Sequence, residues 1–422
     1  MERARIWMAW SAGYALTTVG ILGLASAARM AAVAAPPEAP NEPRVLVDAG
    51  PELRPAEGDM TPTQLPADAG PQGPSATRIK RAYEKSLASQ TEADFGSVIA
   101  LCQEGISLGA SRETRAYALR LMSWAHNRRG ELLAAAGHDE EALSDFETAI
   151  HYDQSRWRSF HNRGVSHALQ GNCEKAIADF DRTLELNPQF GNAYFNRGEM
   201  HYELGEYVAA IQDYGRTLER APEDSAALNS RGHAHFRLGQ YRQAIRDFTE
   251  ALRIEPKNAA PLTNRGDVFA ELGYYAEALR DYRRSIGIDK NLGRTHQSIA
   301  WLVATCPDET YRDEQLALSA AHRAMEIDGG NHHRYLDTLA AAHAEAGNFR
   351  DAEKTVRQAI EIAPADDAEQ YRNRLSLYER NRPYRSSPKT IAPIALTQDH
   401  RPLDPSQRKW QRRPKAKEIR SP

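Results

Sequence analysis

Glycine returns every 34 residues through the middle of this chain, at Gly130, Gly164, Gly198, Gly232 and Gly266. A second glycine follows seven residues after each, at Gly137, Gly171, Gly205, Gly239 and Gly273. Next comes a small residue (Ala142, Ala176, Ala210, Ala244, Ala278), and four residues later an aromatic one (Phe146, Phe180, Tyr214, Phe248, Tyr282). Pro188, Pro222 and Pro256 close three of the units. With apolar residues at i, i+3, i+4 spacing, a 34-residue unit has room for two antiparallel helices. Such a pair cannot bury its own apolar face, so the units must stack on one another. The register sets units at 123–156, 157–190, 191–224, 225–258 and 259–292.

Within a unit the glycine at position 8 and the alanine at position 20 let helices approach, and the aromatic at position 24 fills the gap between neighbours. The proline at position 32 ends the second helix, since it has no N–H to donate and disfavours helix in the residue before it. A further unit aligns at 333–366 through Gly347, Ala352, Ala359 and Pro364. Between lies a longer one, 293–332, whose extra residues fall in a turn around "PDETYRD". Residues 77–122 read as a helical cap and 367–382 as a closing helix.

Small, small, aromatic and proline at one register in a 34-residue unit resembles the tetratricopeptide repeat (TPR) family over roughly residues 90 to 380. The resemblance implies an all-α fold, a right-handed TPR solenoid of stacked antiparallel helix pairs. It also implies a non-enzymatic role, in which the first helices line a concave groove that takes a protein or peptide segment.

The sequence departs from the family at position 7, where an arginine replaces the usual large apolar residue: Arg129, Arg163, Arg197, Arg231 and Arg265. Sixteen residues on stands an aspartate: Asp145, Asp179, Asp213, Asp247 and Asp281. In the divergent units both are lost together, to Ile299 with Ala320 and Leu339 with Thr355. A guanidinium fork suits a carboxylate bidentately, so the expectation is a structural Arg–Asp ladder. Spacing leaves open whether each rung lies within a unit or between neighbours. A row of anion sites fits less well, because the paired aspartate neutralises the arginine that a phosphate would need.

Carried over from the family, positions 2, 5, 6, 9 and 12 of the first helices would face the groove. They offer Arg158, His161, Asn162, Asn192, Phe195, Asn196, Glu199, Tyr202, Asn229, His233, Phe236, Asn264, Asp267, Arg294, Gln297 and Trp301 to a partner. Asparagine suits a peptide backbone because its amide both donates and accepts, and the aromatic residues could anchor side chains. The alternative is that these are ordinary exposed helix residues. Lysines at the family's carboxylate-clamp positions are absent, so recognition of a chaperone tail is not supported.

Signals of catalysis are missing: there is no P-loop, HExxH, GxSxG or CxxC. His233 and His235 point to different helix faces, and Cys102, Cys173 and Cys306 are too far apart in sequence for zinc or redox spacing. No enzyme, cofactor or metal site is expected. A net charge of −3 argues against nucleic acid as a partner.

The two ends differ from the repeats. Arg3 and Arg5 precede an apolar run from Ile6 to Ala28, with small-x-small sites at Ala25–Ala27 and Ala32–Ala34. Residues 1–35 thus read as an export signal or an uncleaved membrane anchor, and place the body outside the cytoplasm: secreted, periplasmic or envelope-held. Residues 36–76 are a Pro/Ala-rich spacer. From 383 to 422 a disordered basic tail is expected, and its last stretch, 401–422, carries eight Lys/Arg against Asp404 and Glu418. That net +6 suggests a second function class, attachment to anionic lipid or envelope polymer.

Overall fold

A computed structural model describes residues 73–390. The expected signal or anchor, the spacer up to residue 72 and the tail from 391 onward lie outside the described residues. Among the described residues no helix is long and apolar enough to cross a membrane. These residues are all-α and fall into two compact units that divide after Pro222.

The first unit contains α1 (Pro74–Ser86), α2 (Glu92–Ser107), α3 (Arg112–Ala135), α4 (Asp139–Tyr152), α5 (Trp157–Leu169), α6 (Cys173–Leu186), α7 (Gly191–Glu203) and α8 (Tyr207–Arg220). In the sequence α3 was divided between a cap and a first repeat beginning at 123, yet it runs unbroken for 24 residues. Its N-terminal half is held by the cap core, where Tyr117, Leu121 and Trp124 are buried with Phe95 and Ile79. Nothing in Arg112–Ala135 breaks the helix, so cap and first repeat share it.

The second unit contains α9 (Ser225–Arg237), α10 (Tyr241–Ile254), α11 (Ala259–Glu271), α12 (Tyr275–Ile288), α13 (Gly293–Thr305), α14 (Glu314–Asp328), α15 (His333–Glu345), α16 (Phe349–Ile362) and α17 (Ala365–Tyr378). A 3-10 turn, Glu309–Tyr311, occupies the lengthened connection before α14. The expectation of a free tail from 383 is corrected: the stretch 384–389 has no regular secondary structure but lies against the C-terminal ends of α11, α13 and α15.

The glycine and the aromatic of one repeat meet each other. A Cβ added to Gly198 would lie 2.9 Å from Tyr214 Cε1, and one on Gly266 only 2.5 Å from Tyr282 Cε1. The aromatic at position 24 therefore packs onto the first helix of its own repeat, where it had been expected to fill the gap between repeats. The second glycine closes the helix–helix turn in the left-handed region, as at Gly205 with φ 77°.

Candidate functional site

Every position-7 arginine grips the aspartate of its own repeat through two nitrogens. Nε and Nη2 reach the two carboxylate oxygens at 2.7 and 2.7 Å for Arg129–Asp145, and at 2.9 and 2.7 Å for Arg163–Asp179. The distances are 2.8 and 2.6 Å for Arg197–Asp213, 2.8 and 2.8 Å for Arg231–Asp247, and 2.7 and 2.9 Å for Arg265–Asp281. The rung is thus intra-repeat. The free Nη1 can also reach back one repeat, from Arg197 to Asp181 at 2.5 Å and from Arg265 to Thr249 at 3.0 Å. The Asp213 and Asp181 carboxylates hold Arg197 above the ordinary arginine range.

The first-helix face is more closed than the groove reading expects. His161, Asn162, Phe195, Asn196, Glu199, His233 and Asn264 are buried, Phe195 and Asn196 completely. The asparagines bond along the stack instead of awaiting a ligand. Asn162 donates to Asn127 at 3.2 Å and to Glu131 at 3.0 Å; Asn264 donates to Asn229 at 2.9 Å; the Asn196 amide meets His161 Nε2 at 3.1 Å. Each of these pairs spans the joint between successive first helices, where a buried amide left unpaired would be costly. For these residues, and for Phe195, packing replaces the expected partner contact.

A pairing escaped the sequence reading. Glu199 accepts from Tyr214 Oη at 2.8 Å, and Asp267 accepts from Tyr282 Oη at 2.8 Å. Val165 and His233 stand at the same position in repeats that carry Phe180 and Phe248, but Glu131 of the first repeat goes with Phe146 and is bonded to Asn127, Arg128 and Asn162 instead. Each tyrosine at position 24 has a carboxylate to accept its hydrogen bond, although an acid at that position does not by itself bring a tyrosine.

Half-buried side chains remain on this face: Arg158, Asn192 and Tyr202 in the first unit, and Asn229, Phe236, Asp267, Arg294, Gln297 and Trp301 in the second. Arg294 reaches Asp267 at 2.5 Å, which favours its charge against the burial that opposes it. Burial, with Arg294, Arg237 and Arg334 nearby, presses the His233 pKa down to about 3. His233 is therefore neutral near pH 7.

The most elaborate surface lies at the C-terminal ends of α11, α13 and α15, where residues 384–389 are seated. Tyr384 packs on Trp301, ring centroids 5.8 Å apart, and the Arg374 guanidinium lies 5.2 Å from the Trp301 ring centre and 5.1 Å from that of Tyr384. Arg374 is fixed from behind by buried Asp337 at 2.8 Å. Burial lifts Asp337 to about 6, against the opposing pull of Arg374. The Arg385 guanidinium pairs with Glu345 at 2.6 Å and donates to the Ala304 carbonyl at 3.0 Å. Ser386 N–H donates to the Thr305 carbonyl at 2.9 Å, and Lys389 N–H to the Glu271 carbonyl at 2.7 Å. Pro388 rests on Gly273, its Cβ 3.2 Å from where a glycine Cβ would stand. Thr305 and Glu271 end their helices, so the segment satisfies carbonyls that no helical N–H can reach.

Among the described residues no cluster of His, Cys, Asp and Glu is placed to hold a metal. Burial raises Cys306 to about 11 and Cys102 to about 12, far from a reactive thiolate.

Profiles described as "Tetratricopeptide repeat" match residues 127–189 and 161–226, then 225–258 and 259–292. No curated protein matches in sequence. Among solved structures, Pseudomonas aeruginosa pilF is 17% identical, with 52% of this chain and 96% of that chain covered at a TM-score of 0.44. Yeast Tom70 is 15% identical, with 76% and 68% covered at 0.42. YrrB, titled a TPR protein with an unusual peptide-binding site, is 19% identical, with 41% and 89% covered at 0.38. With its repeats matched one after another and each built as an antiparallel helix pair, the stretch 127–292 belongs to the tetratricopeptide repeat family.

Proposed function

We propose that this protein is a non-enzymatic scaffold that binds an extended protein or peptide segment on its repeat surface, outside the cytoplasm. The observation that carries the reading is the seating of residues 384–389, an irregular backbone held by carbonyls at the ends of α11 and α13 and flanked by Trp301 and Glu345. A surface that holds one such backbone has the donors, acceptors and ring faces to hold another. Display of random peptides against the full chain tests it: enrichment of peptides whose binding falls when Trp301 is replaced by alanine supports the reading, and no enrichment ends it. The location rests on residues 1–35 alone. Fusing them to a reporter that folds only after export should give an active reporter; an inactive one removes that part of the proposal.

A further inference from the structure

We propose that residues 384–389 are a built-in competitor for the seat they occupy, and that the external ligand is an extended peptide with an aromatic residue followed directly by arginine. This rests on the scaffold reading above and gives it a specificity and a control.

Each part of the segment meets a feature that other residues hold in place. The aromatic position is framed by Trp301 and by Arg374, whose orientation Asp337 fixes at 2.8 Å. At the arginine position, Glu345 also pairs with Arg312 Nε at 3.2 Å, so this carboxylate keeps a partner when Arg385 leaves. Arg312 itself comes from the lengthened turn, anchored to the carbonyls of Cys306 and Pro307 at 3.2 Å each. The extra residues of the divergent repeat thereby supply half of the bracing. Arginine is suited here for a second reason: Ala304 and Thr305 form the C-terminal end of α13, where the helix dipole favours a cation. The backbone bonds at Ser386 and Lys389 read main chain and no particular side chain.

The segment is tethered. Only residues 379–383 separate Tyr384 from the end of α17, and a short link gives an effective concentration on the order of millimolar. A free peptide with the same contacts must compete against that concentration. For an intrinsic Kd of roughly 100 μM the apparent affinity falls about tenfold. A ligand binds well only when it makes more contacts than the segment, or after the segment has been displaced.

The test uses a labelled peptide of residues 382–389, Arg-Pro-Tyr-Arg-Ser-Ser-Pro-Lys, read by fluorescence anisotropy against the full chain. The parent should bind weakly and the double variant Tyr384→Ala/Arg385→Ala about tenfold more tightly. Adding Glu345→Gln and Trp301→Ala to the open variant should remove that gain. Amide exchange at Ser386 and Lys389 gives a second reading independent of any variant: excess peptide should speed it in the parent chain. Equal affinity for parent and open variant overturns self-occlusion, as does no binding to either with exchange unchanged; the segment is then a brace. A concentration-dependent dimer of the parent, cross-linked through this segment, overturns the assignment to the same molecule. If displayed peptides are still captured and the 382–389 peptide does not compete with them, self-occlusion falls while the scaffold reading stands. If neither chain captures any peptide, the scaffold reading falls with it.

Discussion

Arg265 holds both oxygens of Asp281, at 2.7 and 2.9 Å, with side chains only 6% and 5% exposed. The equivalent Arg129 is 30% exposed. Removing one partner of a buried pair strands the other charge, at a cost of roughly 3–5 kcal/mol. Arg265→Ala is expected to reach that range and Arg129→Ala to fall well below it, because Asp145 keeps the His126 ring at 2.8 Å and the place of Arg129 is open to water. Urea midpoints of the two variants decide; equal losses would mean that burial does not set the strength of the rungs.

Glycines in this chain divide into two kinds. Gly266→Ala places a methyl 2.5 Å from the Tyr282 ring and should cost about 1–3 kcal/mol through overpacking. Gly215, inside α8, faces open space. Gly215→Ala should stabilise by roughly 0.5–1 kcal/mol, since alanine is the better helix former. Opposite shifts in melting temperature are the expected result, and a loss of stability in both would contradict the packing.

Acid should loosen the second unit through His233. Its pKa is 6.5 in the unfolded chain and about 3 in the fold. The folded state therefore takes up this proton only far below the pH at which the unfolded state does. The stabilisation is complete above pH 6.5 and declines as pH falls from 6.5 towards 3. Between pH 7 and pH 5 this one residue should account for about 2 kcal/mol. Denaturation of His233→Gln at both pH values should show a correspondingly smaller drop; an unchanged drop would place the acid sensitivity elsewhere.

The three thiols should react unequally. Burial raises the pKa of all three, but Cys102 and Cys306 are fully buried whereas Cys173 is half-buried at the start of α6 and can be reached by a reagent. A disulfide reagent at pH 8 should titrate one thiol in the folded protein and three in denaturant. Fast labelling of Cys306 in the native state would show that the end of α13 opens.

The period of 34 residues, the antiparallel pairs and the Arg–Asp partnership were all legible in the chain, because a repeat compares itself with its own copies. Loss of Arg and Asp together at Ile299 with Ala320 and Leu339 with Thr355 was enough to pair them. The pairing of Glu199 with Tyr214 and of Asp267 with Tyr282 was not legible in this way, because Glu131 of the first repeat goes with Phe146 and breaks the series.

Sequence alone determined which residues repeat, since helix period, glycine spacing and proline position are local properties of the chain. Only the tertiary structure decided what each repeated residue faces. Asn196 and Asn264 lie on the helix face where a ligand was expected, yet their amides are taken up by His161 and Asn229 of the preceding repeat. The rung from Arg197 closes within its own repeat, a choice that a sixteen-residue spacing cannot make. Residues 384–389 read as tail because they have no period of their own. Their place is set by carbonyls left over at two helix ends, by the ring of Trp301 and by the carboxylate of Glu345, groups brought together only when the second unit folds.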